Sequence, residues 1–156
     1  MRVETYTDRY FLDVVKLVEN FHKEAVSEYD GVFDPNAVIE TIKEADKSTL
    51  FLMIVDEVAQ GIIYGKCFKS FLNDGQVFQE IIWYVNKPYR SRGVKLLREA
   101  EKMLKDIGVS TMIMAVLENS KTEKLKRFYE RIGYKPMETH YVRNLTSPQS
   151  TSPDPD

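Results

Sequence analysis

The chain has 156 residues, of which 43 % are hydrophobic and 29 % are charged, a balance typical of one domain with a core of ordinary size. The formal net charge of -2 argues against a protein that coats nucleic acid, because such domains are strongly basic. The single cysteine, Cys67, excludes a disulfide framework within the chain and fits a reducing, cytoplasmic location.

Membrane, secreted and metal-binding classes are also disfavoured. The polar opening MRVETYTDRY lacks the apolar region of a secretory signal, and no apolar run approaches the roughly 20 residues of a membrane span. With only His22, His140 and Cys67 as nitrogen or sulfur ligands, we expect no dedicated metal site. We expect His22 to be a packed or capping residue and Cys67 to be buried in a strand.

The first part of the chain predicts a short strand, residues 1–6, and two helices. Apolar residues recur at helical spacing from Asp8 to about Val26, with Thr7 or Asp8 as the N-cap. The turn-rich stretch SEYDGVFDPN then forms a loop. A second helix opens at Asp34-Pro35 and runs to about Ala45, because proline suits the first helical turn.

The remainder predicts strands interleaved with two more helices. In chain order these are a hairpin over 48–69, a turn at FLNDGQ, a strand over 77–86, a helix over about 91–107 that ends at Gly108, a buried strand over 110–117, a helix in KTEKLKRFYERI closed by Gly133, and a last strand in YKPMETHYVRNL. The tail TSPQSTSPDPD lacks apolar residues and is expected to be disordered. We therefore expect an α/β (α+β) fold with one domain over residues 1–145 and a tail over 146–156.

The stretch PYRSRGVKLLREAEKML, residues 88–104, places positive charge where a predicted strand ends and a predicted helix begins. The unpaired amides and dipole of a helix N-terminus form an anion site, and Gly93 lets the backbone approach a ligand. The expected ligand of this site is a phosphate or diphosphate group. The alternative is an arginine-rich helix start on a solvated surface. No P-loop sequence and no G-x-G-x-x-G after the first strand is present.

Several segments at this point resemble one family, the GCN5-related N-acetyltransferases. Residues 90–95, RSRGVK, resemble the acyl-CoA-binding signature Q/R-x-x-G-x-G/A, with Lys95 in place of the last glycine or alanine. WYVNKPYR resembles the fourth strand of the family and its exit, LLREAEKMLKDIGV its third helix, and KLKRFYERIGY its late LYEKLGF segment. The resemblance covers residues 48–145 and is shared most closely with compact members from bacteria and their viruses.

The resemblance implies a mostly antiparallel, mixed sheet of six or seven strands flanked by about four helices. The fourth and fifth strands would splay apart, and the pantetheine arm of acetyl-CoA would lie between them against the backbones of Trp83 and Val85. The signature would hold the cofactor's diphosphate through Arg90, Ser91, Arg92, Gly93, Val94 and Lys95. Lys95 would either crowd this group or reach over to contact it.

The resemblance also implies roles in acetyl transfer. The Val85 amide would donate to the thioester oxygen, and the Tyr129 hydroxyl would act as the general acid near the sulfur. Glu80 is either the base or substrate anchor, or a structurally paired carboxylate. Regular alternation puts Glu80 on the face opposite Trp83 and Val85, and Gln79 on theirs, but a bulge would reverse that parity. Glu118 is the reserve base, and ordered water could also relay the proton.

We expect the acceptor to be a primary amine, attacked directly in a ternary complex. The first loop is acidic and either attracts a cationic amine or forms a solvated surface; it holds Glu24, Glu28, Tyr29, Asp30 and Asp34. The alternative function is an inactive module that binds CoA without turnover. Nucleic-acid binding through the basic turn is disfavoured, because no aromatic stacking platform accompanies it. The acceptor's identity and a homodimer, common in the family, stay open.

Overall fold

The computed structural model describes residues 1–27, 32–117 and 121–146. The described strands are β1 (Arg2–Thr5), β2 (Leu50–Val55), β3 (Val58–Lys69), β4 (Gln76–Val85) and β5 (Val109–Ile113). The described α-helices are α1 (Phe11–Phe21), α2 (Pro35–Glu44), α3 (Gly93–Asp106) and α4 (Thr122–Arg131). A π-helical turn, His22–Val26, continues α1, and 3-10 segments cover Asp8–Tyr10, Lys47–Thr49 and Lys87–Arg92.

Local sequence signals fix several of these boundaries. The Asp34 carboxylate accepts from the amides of Asn36 at 2.9 Å and Ala37 at 3.4 Å, which caps α2 as the Asp-Pro pair predicted. Gly108 and Gly133 follow α3 and α4 with φ of 93° and 101°, a conformation that favours glycine and ends each helix.

The sheet has the order β1-β2-β3-β4-β5 and is antiparallel except for the parallel pair β4 and β5. Helices cover both faces. One core cluster lies under α1 and α2 and includes Val14, Leu17 and Tyr84. The other lies under α3 and α4 and includes Phe78, Leu97 and Tyr129. The mixed α/β architecture is the one predicted.

A β-bulge in β4 changes which side chains share a face. Tyr64 of β3 pairs with Ile82, whereas the next residue, Gly65, pairs with Glu80, so Ile81 is the extra residue. Phe78 lies on the α3 and α4 face together with Val85. Glu80, two residues beyond Phe78, shares that face, because the bulge reverses the regular alternation. The parity change that would bring Glu80 to the face of Trp83 and Val85 is therefore present.

The sheet has fewer strands than predicted. The described chain contains five rather than six or seven, because residues 134–146 have no regular secondary structure. The last predicted strand is therefore wrong within this segment. Met137, Tyr141, Val142 and Leu145 are between 70 and 94 % exposed, so ordering the segment buries too little apolar surface to offset its conformational entropy. Residues 147–156 of the predicted tail lie outside the described residues.

Candidate active site

A gap opens in the sheet where β4 and β5 separate. The two strands pair from Gln76 and Val109 as far as Gln79 and Ile113. Beyond that point β4 continues to Val85, and no strand of the described chain pairs with its outer edge. The predicted separation of these two strands is therefore present in the structure.

Two backbone amides of β4 point into this gap. The Asn86 amide donates to the Gln60 carbonyl on β3 at 2.9 Å. Because hydrogen-bonding direction alternates along an antiparallel strand, the amides of Val85 and Trp83 point the other way, away from β3. Trp83 and Val85, singled out from the sequence, thus present strand-like donors along the open edge.

The start of α3 lies next to these two residues. A Cβ built on Gly93 would lie 3.5 Å from Val85 Cγ2 and 3.8 Å from Trp83 Cζ2, at ordinary van der Waals distance. Arg92, the residue before α3, makes no side-chain cap to the first amides of the helix. The other signature residues at this turn are exposed; they are Ser91, Arg92, Val94 and Lys95. Lys95 is therefore on the surface.

Arg90 makes contacts that the sequence did not indicate. Its Nε donates to the Val85 carbonyl at 3.1 Å, and its Nη2 forms an ion pair with Glu24 on the π-helical turn. The Tyr84 hydroxyl also donates to Glu24, at 3.0 Å. Burial alone would raise the pKa of Glu24, but the hydrogen bonds from Arg90 and Tyr84 outweigh it and hold this pKa below its ordinary value. The Arg90 side chain therefore ties the end of β4 to the π-helical turn that follows α1.

Glu80 lies where the gap begins. Its Oε2 accepts a hydrogen bond of 2.7 Å from the amide of Ala115, two residues after β5 ends. Burial raises the pKa of Glu80 to about 7, and the Ala115 hydrogen bond only partly opposes this shift. The carboxyl therefore exchanges protons near neutral pH, which suits a general acid or base.

Tyr129 lies on the other side of Ala115. Its hydroxyl donates to the Ala115 carbonyl at 3.3 Å, so one residue bridges Tyr129 and Glu80. Burial, and then the charge of Glu80, raise the pKa of Tyr129 well above its ordinary value. The hydroxyl remains protonated at neutral pH and is available as a donor.

Aromatic packing holds Tyr129 in this position. Its ring centroid lies 5.9 Å from that of Trp83, 5.8 Å from Phe128 and 5.2 Å from Tyr134. The Tyr134 hydroxyl donates to Glu101 of α3 at 2.7 Å, which anchors the outer member of this group. Sequence reasoning missed the contribution of Tyr134; its place one residue after Gly133, in the matched segment, was the available signal.

Other candidates lie elsewhere. Asp34 caps α2, and the ring of His22 lies 5.7 Å from that of Phe33. Cys67 is exposed on β3, so its predicted burial is wrong: β3 extends past its last partner in β2 there. The remaining candidates, Glu28, Tyr29, Asp30 and Glu118, lie outside the described residues.

The chain belongs to the acetyltransferase (GNAT) family, whose model matches residues 17–134. Comparison with curated protein sequences gives no significant match.

Solved structures confirm the fold. An aminoglycoside acetyltransferase from an uncultured soil metagenomic sample aligns with a TM-score of 0.71 and 14 % identity over 93 % of this chain and 98 % of its own. A ribosomal-protein-alanine N-acetyltransferase from Brucella melitensis biovar Abortus 2308 gives 0.71 and 13 %, over 93 % and 100 %. A glucosamine-6-phosphate N-acetyltransferase from Arabidopsis thaliana gives 0.67 and 13 %, over 92 % and 97 %.

The described residues contain neither a helix suited to spanning a membrane nor a cluster suited to holding a metal ion. No helix in 1–27, 32–117 or 121–146 has the length and apolar character required to cross a membrane. The same ranges contain no group of three or more His, Cys, Asp or Glu side chains placed to hold a metal ion.

Proposed function

We propose that this protein is an acetyl-CoA-dependent N-acetyltransferase that acts on a primary amine by direct attack in a ternary complex. The observation that carries the proposal is the gap between β4 and β5, with Glu80 and Tyr129 bridged by Ala115 where the gap opens. Family membership supports acetyl transfer in general.

The residues along the gap fit acetyl-CoA. The amides of Trp83 and Val85 face an edge without a strand partner, and the amide groups of a pantetheine arm can pair with such an edge. Glycine at position 93 leaves open the space beside these same two residues that a Cβ would occupy at van der Waals contact. The exposed start of α3 would hold the diphosphate through its amides and dipole.

The side chains would divide the proton transfers between them. Acetyl-CoA, when bound, supplies the acetyl group as a thioester and leaves as the free thiol. Glu80 would accept the proton that the amine loses, because its pKa of about 7 lets it exist as a carboxylate at neutral pH. Tyr129 would donate from its hydroxyl to the departing sulfur in place of its bond to Ala115. The Val85 amide would stabilise the charge that develops on the thioester oxygen.

Direct attack is favoured over an acyl-enzyme by the environment of the only cysteine. Cys67 pairs in register with Phe78, before the point where β4 and β5 separate. Partial desolvation of the Cys67 thiol raises its pKa, which lowers the fraction of the nucleophilic thiolate.

The test is release of free thiol from acetyl-CoA with a panel of primary amines. We expect turnover, and we expect Tyr129→Phe to lower kcat by about 100-fold, since general acid-base groups contribute about 100-fold to 10,000-fold. Tyr141→Phe is the matched control, because Tyr141 is 94 % exposed, and it should retain full activity. Binding of acetyl-CoA without thiol release on any amine would instead identify a binding module that has lost catalysis.

A further inference from the structure

An apolar pocket lies on the sheet face opposite α3, between the first two helices and the strands. Its volume is about 180 Å³. Val14, Leu50 and Ile62 lie buried at its floor. Ala37, Thr41 and Ile81 line it and are exposed, so the pocket opens to solvent on their side.

The residues that line this pocket are suited to binding apolar groups. No charged side chain of the described chain lines the pocket, and the Thr41 hydroxyl is already donated to the Ala37 carbonyl at 2.9 Å. A dry apolar cavity of about 150 Å³ is large enough to bind benzene. A phenyl or branched aliphatic group therefore fits this pocket, whereas a hydroxylated ring would lose hydrogen bonds to water and gain none.

The pocket adjoins the candidate active site through the β4 bulge. Ile81, the bulged residue, directly follows Glu80, and both Ile81 and Ile82 line the pocket. Glu80 faces the α3 and α4 side of the sheet, where the cofactor would enter. The start of α3 thus lies on one face of β4 and this pocket on the other, which would let an acceptor approach from the pocket side while the cofactor occupies the α3 side.

We propose that the pocket binds an apolar group of the acceptor, so that the preferred substrates are primary amines bearing an aromatic or branched aliphatic group close to the nitrogen. This inference rests on the proposed function and narrows it. It separates the chain from acetyltransferases of polar amino sugars, because a lining whose polar side-chain groups are limited to the hydroxyls of Thr41 and Tyr64 gives the hydroxyl groups of a sugar few partners.

The experiment compares kcat/KM for phenethylamine and ethanolamine at saturating acetyl-CoA. Each buried methylene favours binding by about fourfold, so a preference of at least tenfold for phenethylamine is expected. Ala37→Leu, which places a larger side chain at the exposed edge of the pocket, should abolish most of that preference. Glu40→Leu is the matched control, because Glu40 is exposed on the same helix, does not line the pocket and should leave the preference unchanged.

The outcomes separate the two proposals. The pocket assignment is overturned, while acetyl transfer stands, by either of two results. One is an equal kcat/KM for the two amines; the other is an Ala37→Leu enzyme that prefers phenethylamine as strongly as the wild type does. An absence of thiol release with every amine overturns acetyl transfer and the pocket assignment together. A preference that Ala37→Leu removes and Glu40→Leu preserves supports both.

Discussion

The raised pKa of Glu80 predicts a pH-dependent loss of stability that one substitution removes. Burial shifts this pKa from 4.5 to about 7 in the folded protein. At about 1.36 kcal/mol per pKa unit, the difference amounts to about 3 kcal/mol. The folded state binds the Glu80 proton more tightly than the unfolded state does. The contribution of Glu80 to the free energy of unfolding is therefore fully present below about pH 4.5 and is lost as pH rises through about 7.

The assay is urea unfolding of the wild type and Glu80→Gln at about pH 5 and about pH 8. Glutamine keeps an acceptor for the Ala115 amide and does not ionise. The variant should gain about 2.5 kcal/mol relative to the wild type between the two pH values, slightly less than the full difference because part of it is already lost below pH 5. The exposed Glu40→Gln should show no such gain.

The same variant tests catalysis. The kcat/KM of the wild type should rise with pH through an apparent pKa of about 7, and Glu80→Gln should lose this limb together with most of the activity. Two results would refute the reasoning: stability curves of wild type and variant that run parallel from about pH 5 to about pH 8, or an unchanged pH profile in an active Glu80→Gln enzyme.

Two further predictions concern the framework of the site. Gly65→Ala should destabilise the protein by at least about 2 kcal/mol in thermal unfolding, because the new Cβ would lie 2.3 Å from the Gln79 carbonyl oxygen. Gly61→Ala should cost less stability, because its Cβ would meet only side-chain atoms, at 3.2 Å. Equal losses of stability in the two variants would contradict the proposed clash at the bulge. Glu24→Gln should lower the free energy of unfolding by about 1 kcal/mol near neutral pH, because it removes the charge that pairs with Arg90. Since the pKa of Glu24 is lowered in the folded protein, the difference between wild type and variant should disappear progressively as pH falls below about 4.5. A difference that persists in acid would show that the charge of the carboxylate is not responsible.

Local sequence predicted the parts of the fold that local physics determines. Helical spacing of apolar residues predicted α1 and α3, and the Asp34-Pro35 pair predicted the start of α2. The basic turn before Gly93 and the tyrosine in FYERIGY were sufficient to select the elements that border the gap. These signals work because capping and amphipathic burial depend on residues close together in the chain.

Features that depend on distant contacts could not be predicted in the same way. The bulge at Ile81 is fixed by register against Gly65, and the ion pair of Arg90 joins residues 66 positions apart. The apolar pattern of YKPMETHYVRNL predicted a strand, but pairing also needs a partner edge and burial, which the described segment lacks. The raised pKa of Glu80 follows from tertiary burial and has no signature in the strand sequence.

The central claim is that acetyl-CoA lies in the gap between β4 and β5 with its diphosphate at the start of α3. The most direct test is a titration of isotopically labelled protein with acetyl-CoA, following backbone amide signals. The account predicts saturable binding below about 1 mM, with the largest changes at Trp83, Val85 and the first turn of α3. Binding should be weakened about tenfold in Gly93→Ala but not in Leu72→Ala, because Leu72 is exposed in the turn before β4, away from the start of α3. No saturation at that concentration, or changes confined to another surface, would contradict it.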